Sequence, residues 1–297
     1  MPRRYDMLAL DLDGTLVNSR GEVSAANAAA VRRARGVGMK VAVCTGRGLA
    51  ECRHLLHAVE QTEPVAVAGG SIIACPVERR TIHRFALERD LVERAVSRLL
   101  THNHPVMVLK DPAHAGYDYL MVVGEQRLAL DPVTVWWLER MNVPHRFAAT
   151  LAEDEHPEHT VRLGVCGLSG ALTQIIADLE GAFGEHATMH HFPAVIGAEH
   201  EARIPPGEKL HILEVFDKQA SKWSAIRWMA AAEGIAEERI CAIGDEINDL
   251  PMIRGAGLGI AMGNAVPSVK AAAGRETLGH DADGVAYAVG KVLEGAW

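Results

Sequence analysis

Met7-Leu8-Ala9-Leu10-Asp11-Leu12-Asp13-Gly14-Thr15-Leu16 is the stretch whose reading decides the fold. Its first four residues are uniformly apolar, the pattern of a strand buried on both faces in a parallel sheet. Where the apolar run ends, Asp11 and Asp13 stand two residues apart, and period-two geometry sends both carboxylates to one side. Gly14 then permits a sharp turn. In open α/β sheets, ligands gather at the carboxyl ends of strands. Taken alone, Asp-x-Asp-Gly reads equally as a polar turn or as a site. A calcium loop is excluded, because its glycine position, counted from Asp11, holds Leu16 and no helix precedes it.

The neighbouring sequence repeats the pattern. Ser24 can cap a helix running to Gly36, and Val41-Ala42-Val43-Cys44 is a second buried strand, ending at Thr45-Gly46-Arg47. A helix through Leu49, Cys52, Leu55, Leu56 and Val59 follows, then a third strand, Val65 to Ala68, ending at Gly69-Gly70. Such alternation predicts parallel βαβ units. After residue 217 it resumes. Ser221 can cap a helix carrying Lys222 on its first turn, and Ile240 to Ile243 is a strand ending at Gly244-Asp245. Asn248 and Asp249 then lead into a short helix through Met252, and Leu258 to Ala261 forms a last strand.

Between about residues 84 and 216 the character changes. Glu88 to Leu100 predicts an amphipathic helix, and Val106 to Leu109 and Tyr119 to Val123 predict strands around a turn at Asp111 to Tyr117. Leu151 to Thr160 reads as an exposed acidic loop. Thr160 to Cys166, Ala187 to Phe192 and His211 to Phe216 read as strands, with a helix capped by Ser169 and reaching about Leu179. This is an α+β insert within one doubly wound α/β core. Each polar strand end of the core has a dull local explanation as a turn or cap. As a set they share one edge of one sheet, which favours a site.

Composition narrows the chemistry. At 297 residues, 48% hydrophobic and 23% charged, the chain suits about two globular domains. A net charge of −8 with no Lys/Arg block argues against a nucleic-acid partner, so an anionic substrate needs local cations or a metal. Five cysteines without a Cys-x-x-Cys pair suit buried reduced thiols. The apolar run after Arg3-Arg4 is too short for a leader, and none approaches the roughly 18 to 20 residues that span a bilayer. A soluble cytoplasmic protein without a membrane partner is the expectation. Nothing in the sequence defines an oligomeric state.

Asp11-Leu12-Asp13-Gly14-Thr15-Leu16, Thr45-Gly46-Arg47, Lys222 and Gly244-Asp245-x-x-Asn248-Asp249 resemble, in order, the four motifs of the haloacid dehalogenase (HAD) superfamily. The Ala261-Met262-Gly263-Asn264-Ala265 run and the placement of the insert resemble its Cof-type branch, with a type IIB α+β cap. The resemblance implies a Rossmann-like core, 1–83 with 217–297, and a substrate-selecting cap, 84–216. It implies Mg2+-dependent hydrolysis of a small phosphorylated metabolite through an aspartyl-phosphate. Asp11 would be nucleophile and metal ligand, Asp245 a metal ligand, and Asp13 a ligand through its backbone carbonyl. The Asp13 side chain would protonate the leaving alkoxide and then activate water, helped by neighbouring carboxylates. Thr45, the Gly46 amide and Lys222 would hold the phosphoryl oxygens. Asn248, bordering the phosphate, and Asp249 would orient Lys222 and the metal's waters. Arg47 reads either as a phosphate or substrate contact or as a solvated arginine at a helix start. A phosphomutase of the same fold and a non-catalytic phosphometabolite sensor are the rival readings.

The chain departs from the pattern in two places. Gly69-Gly70 stands where the family often has Asn-Gly, and Trp223 where glycine commonly follows the lysine. Trp223 either packs beneath the sheet edge or narrows the mouth, and packing is favoured. In the insert, His114, Tyr117 and Asp118 are polar loop candidates for substrate contact. The pairs His54/His57, His102/His104, His156/His159 and His190/His191 include metal-like spacings but lack a third ligand, so zinc is not expected.

Overall fold

The computed structural model describes residues 3–194 and 204–297. The chain divides into two compact units, Met1–His83 with Ser221–Trp297, and Arg84–Ala220. The second division falls where a strand has just ended and the Ser221-capped helix begins. In chain order the strands are β1 Met7–Asp11, β2 Lys40–Cys44, β3 Val65–Val67, β4 Ile72–Cys75 and β5 Arg80–Arg84. Next come β6 Val106–Lys110, β7 Tyr119–Val122, β8 His145–Ala148, β9 Thr160–Leu168, β10 Ala187–Pro193 and β11 Leu210–Asp217. The last are β12 Ile240–Gly244, β13 Leu258–Ala261 and β14 Arg275–Glu276.

In the discontinuous unit the strand order is β14-β13-β12-β1-β2-β3-β4-β5. The pairings from β14 to β3 are parallel, and β3 with β4 is antiparallel. β1 lies at the centre and every one of its residues is buried, as its unbroken apolar run requires. The chain winds from β1 to β2 and β3 on one side, then returns as β12 and β13 on the other. This puts the topological switch point between β1 and β12, where open α/β sheets bind ligands. The register keeps the strand ends level: Leu10 stands opposite Ile243, Asp11 opposite Cys44, and Gly244 opposite Ala261.

The helices pack through polar anchors as well as apolar faces. Ser24 caps the helix Ala25–Gly36, its hydroxyl accepting from the Asn27 N–H at 3.1 Å. Asn27 is fully buried, and its Oδ1 accepts from the Ala286 N–H at 3.0 Å, tying this helix to the helix Gly284–Leu293. The β4–β5 excursion extends the sheet beyond the sequence reading. Its second strand, Arg-Thr-Ile-His-Arg, has no apolar run to announce it.

The other unit is α+β. Its sheet runs β10-β11-β9-β6-β7-β8, antiparallel except for the parallel pair β7 and β8. The helices Arg89–Thr101 and Ser169–Phe183 contribute Leu91, Val96, Leu99, Leu172, Ile175 and Leu179 to one core with Val108, Leu163, Val165 and Val215. Truncating one such leucine to alanine costs about 2–5 kcal/mol.

Further details differ from the sequence reading. Ser169 is the first helical residue rather than the cap, and its hydroxyl bonds Glu208 Oε2 at 2.6 Å instead. A helix at Pro132–Arg140, capped by Asp131, precedes β8 and was not anticipated. Tyr117 and Asp118 are only 4% and 6% exposed, so they belong to the packed interior rather than to a polar loop. The segment Leu151 to Thr160 is not simply an exposed loop: it forms two short 3-10 turns and buries Asp154 against Lys110.

Candidate active site

Each site residue follows from a strand that must end. β1 stops at Asp11, and the chain turns through Gly14 with φ +76°. A Cβ on Gly14 would lie 2.3 Å from Asp245 Oδ2, so only glycine lets the β1 turn and the end of β12 come this close. β2 stops at Cys44, and the buried Thr45 follows, its N–H donating to the Ala66 carbonyl at 2.9 Å. The Thr45 hydroxyl accepts from the Arg47 N–H at 3.1 Å and retains its own proton to donate. A Cβ on Gly46 would meet no atom within 4 Å, so this backbone borders open space.

Lys222 enters on the first turn of the helix Lys222–Ala232, whose cap is Ser221 as the sequence predicts. Gly70, at φ +94°, explains the close approach of that helix start: a Cβ there would sit 2.2 Å from the Ser221 carbonyl oxygen. The buried ammonium donates to Asp11 Oδ1 at 2.6 Å, Asp249 Oδ1 at 2.6 Å and Asn248 Oδ1 at 3.1 Å. All three of its protons are thereby committed. Asp249 uses its second oxygen to accept from the N–H groups of Asp245 at 2.9 Å and Glu246 at 3.0 Å. One carboxylate therefore holds both the lysine and the backbone that carries Asp245.

Carboxylate oxygens of Asp11, Asp245 and Asp249 lie within 4.8 Å of one another. Burial, reinforced by Asp249 and Asp245 and opposed by Lys222, raises the Asp11 carboxyl well above the ordinary range. Burial also leads in pushing Asp245 up to about 6, against the hydrogen bond from Thr15. Burial opposes the Lys222 charge, but Asp11 and Asp249 outweigh it and raise Lys222. Three carboxylates around one ammonium leave the cluster short of positive charge.

Asp13 stands apart from this cluster. Its side chain is 48% exposed and takes both Arg47 Nε, at 2.9 Å, and Arg47 Nη2 in a two-pronged pair. Arg47 is therefore not a freely solvated arginine. It holds Asp13. Trp223 lies against Gly255, where a Cβ would be 2.3 Å from the indole, so the tryptophan packs on the next helix.

Two residues inside the quoted motifs carry roles that the sequence reading did not assign. The buried Thr15 hydroxyl donates to Asp245 Oδ1 at 2.8 Å. Asn264 Nδ2 donates to the Gly14 carbonyl at 2.8 Å and reaches Asp245 Oδ2 at 3.3 Å. Both sit in turns directly after buried strands, which was the available signal.

Fold and site together define a class: a doubly wound α/β protein whose carboxyl edge carries an acidic, lysine-bridged centre. The chain belongs to the haloacid dehalogenase-like hydrolase family, whose sequence profile matches residues 8–289. Phosphatase YwpJ of Bacillus subtilis (strain 168) is 28% identical over 296 residues, covering 97% of this chain and 99% of its own. The 5-amino-6-(5-phospho-D-ribitylamino)uracil phosphatase YwtE of the same strain is 28% identical over 311 residues, covering 98% and 99%. The solved structure of BT1666 from Bacteroides thetaiotaomicron, a phosphatase of the haloalkanoate (HAD) superfamily, matches with a TM-score of 0.76 at 20% identity. It covers 99% of this chain and 98% of its own, which establishes the fold. No helix among the described residues is long and apolar enough to cross a membrane.

Proposed function

We propose that this protein is a Mg2+-dependent phosphatase that hydrolyses a small phosphorylated metabolite, a sugar phosphate or related monoester, through an aspartyl-phosphate on Asp11. The observation that carries the reading is Lys222 fixed between Asp11 and Asp249, with Asp245 beside them. The donor set fits magnesium: Asp11 and Asp245 offer hard carboxylate oxygens, and the cluster lacks positive charge. The Asp13 carbonyl, on the turn after β1, completes the assigned protein ligands. Bound magnesium supplies neutralisation of the phosphate dianion and polarisation of the phosphoryl group.

The chain's own residues account for the rest. Lys222 orients Asp11 by binding Oδ1, and its charge offsets the approach of one anion to another. An Asp11 oxygen attacks phosphorus, the P–O bond to the alkoxide breaks, and Asp13 gives that oxygen its proton. Water then attacks phosphorus as Asp13 takes its proton, the Asp11–phosphorus bond breaks, and phosphate leaves. Thr45 and the Gly46 amide donate to the phosphoryl oxygens throughout. Asn248 and Asp249 keep Lys222 in place. Before any proton moves, Asp13 must exchange its Arg47 partner for the substrate.

We assign the unit Arg84–Ala220 to selection of the leaving group, and the discontinuous unit to catalysis. The YwtE similarity supports a phosphorylated polyol or sugar as the class of substrate. The five cysteines are free thiols, which supports a reducing, cytoplasmic setting.

The test is phosphate release across a panel of sugar and polyol phosphates, with magnesium, with EDTA, and with Asp11→Asn. Release that requires both magnesium and Asp11 is expected. Isomer formation without phosphate release would replace the reading with a mutase, and binding without turnover would replace it with a sensor.

A further inference from the structure

The unit Arg84–Ala220 gathers histidines that phosphoryl transfer does not use. His156-Pro157-Glu158-His159 forms a 3-10 turn over Pro157–His159, with the His159 N–H donating to the His156 carbonyl at 3.0 Å. The His156 and His159 rings lie close together, so the two imidazoles share one side of the turn. One ligand atom from each of His156, Glu158 and His159 lies within 4.8 Å of the others, and His159 Nε2 is 3.1 Å from Glu158 Oε1. The sequence spacing lacked a third ligand; Glu158 supplies it.

A fourth group stands beside them. The His114 ring centroid is 4.9 Å from that of His159, and the His156 centroid is 6.0 Å from it. Two imidazoles on one tetrahedral zinc, each with a Zn–N bond of about 2.0–2.1 Å, place their centroids about 5 Å apart. His114 Nδ1 is held by Asp111 Oδ2 at 2.8 Å, the carboxylate–histidine arrangement that fixes a ligating ring and leaves Nε2 for an ion. Arg84 Nη1 pairs with Asp111 Oδ2 at 2.9 Å and lies 3.4 Å from His114 Nδ1.

His159 itself is left incomplete. Its side chain is 14% exposed, and its Nδ1 is buried with no hydrogen-bond partner. The turn is anchored beneath. Lys110, fully buried, pairs with Asp154 and donates to the His156 carbonyl at 3.2 Å and to Thr160 Oγ1 at 2.7 Å.

We infer that His156, Glu158 and His159, joined by His114, form a second metal site that binds zinc or a similar divalent transition ion. Imidazole nitrogens select such ions over magnesium, which prefers oxygen. The ion would link the turn at Asp111–His114 to the turn at Pro157–His159 and brace this unit. It takes no part in the chemistry at Asp11, so the inference stands independently of the proposed activity.

The experiment titrates Zn2+ alone into the EDTA-stripped full chain by calorimetry, with excess magnesium present to occupy the Asp11 and Asp245 site. One equivalent binding with a Kd below about 1 µM is expected, and zinc should raise the melting temperature. His156→Ala/His159→Ala should weaken binding at least about 100-fold, and Glu158→Gln about 10-fold. Glu158 is 62% exposed, so the glutamine variant tests ligation without endangering the fold. His54→Ala/His57→Ala, on an exposed helix face, should bind as the parent does. Absence of binding in the parent, or equal binding in the His156/His159 variant, would overturn the site.

Discussion

Replacing Asp245 by asparagine should remove the pH dependence that this residue gives to the metal-free fold. Burial, with repulsion from Asp249, lifts its carboxyl from 3.8 to about 6. A raised carboxyl pKa means the folded state holds the proton more tightly than the unfolded chain. The associated stability is present below about pH 4 and is lost as pH rises through about 6. Two units at 1.36 kcal/mol each make this about 3 kcal/mol, and residual solvent contact reduces it to about 1–3 kcal/mol. Asparagine cannot ionise, and its carbonyl can still accept the Thr15 hydroxyl. In EDTA, Asp245→Asn should therefore gain about 1–3 kcal/mol on the parent between pH 4.5 and 7.5. Denaturant unfolding followed by tryptophan fluorescence reads this, since Trp223 and Trp228 lie on the Lys222–Ala232 helix. Magnesium at pH 7.5 should stabilise the parent and leave the variant unmoved. A parent–variant difference that stays constant with pH, or moves the other way, would refute the reasoning.

Gly14→Ala combines φ +76° with a Cβ 2.3 Å from Asp245 Oδ2, so Asp245 must shift. The magnesium concentration for half-maximal activity should rise at least about 10-fold, with about 1–2 kcal/mol lost in a melting assay. Lys222→Met leaves Asp11 and Asp249 buried without their cation. It should cost about 3–5 kcal/mol in denaturant unfolding and reduce kcat at least about 1000-fold. Lys110→Met strands Asp154 in the same way, at about 3–5 kcal/mol, whereas Lys110→Met/Asp154→Leu should recover most of that in calorimetry.

What could be read from the sequence was local. An apolar run that ends at Asp11, a serine before Lys222, and a serine before Ala25 each declare a strand end or a helix cap within a few residues. The helix Pro132–Arg140 is also locally encoded, by an Asp-Pro start in which Asp131 accepts from the Val133 and Thr134 N–H groups. β5 and β8 were hidden for a physical reason. Arg80–Arg84 is mostly polar and His145–Ala148 is only four residues long and half polar, so only their sheet neighbours make them strands. The same distinction separates the site residues. Asp11, Lys222 and Asp245 stand out by type and position. That Thr15 and Asn264 converge on Asp245, or that Arg47 holds Asp13, depends on contacts between distant turns. His159 illustrates the limit from the other side, because its buried, unpartnered nitrogen exists only once the fold is formed.

The central claim is the covalent step on Asp11, and a rapid-quench experiment reaches it most directly. The protein, mixed with magnesium and a substrate labelled in its phosphoryl group, is quenched in acid within the first turnover and digested. An acid-stable, hydroxylamine-labile label on the peptide containing Asp11, formed and lost at rates that account for turnover, is the predicted result. Full phosphate release with no label on that peptide, or with label elsewhere, would contradict the account.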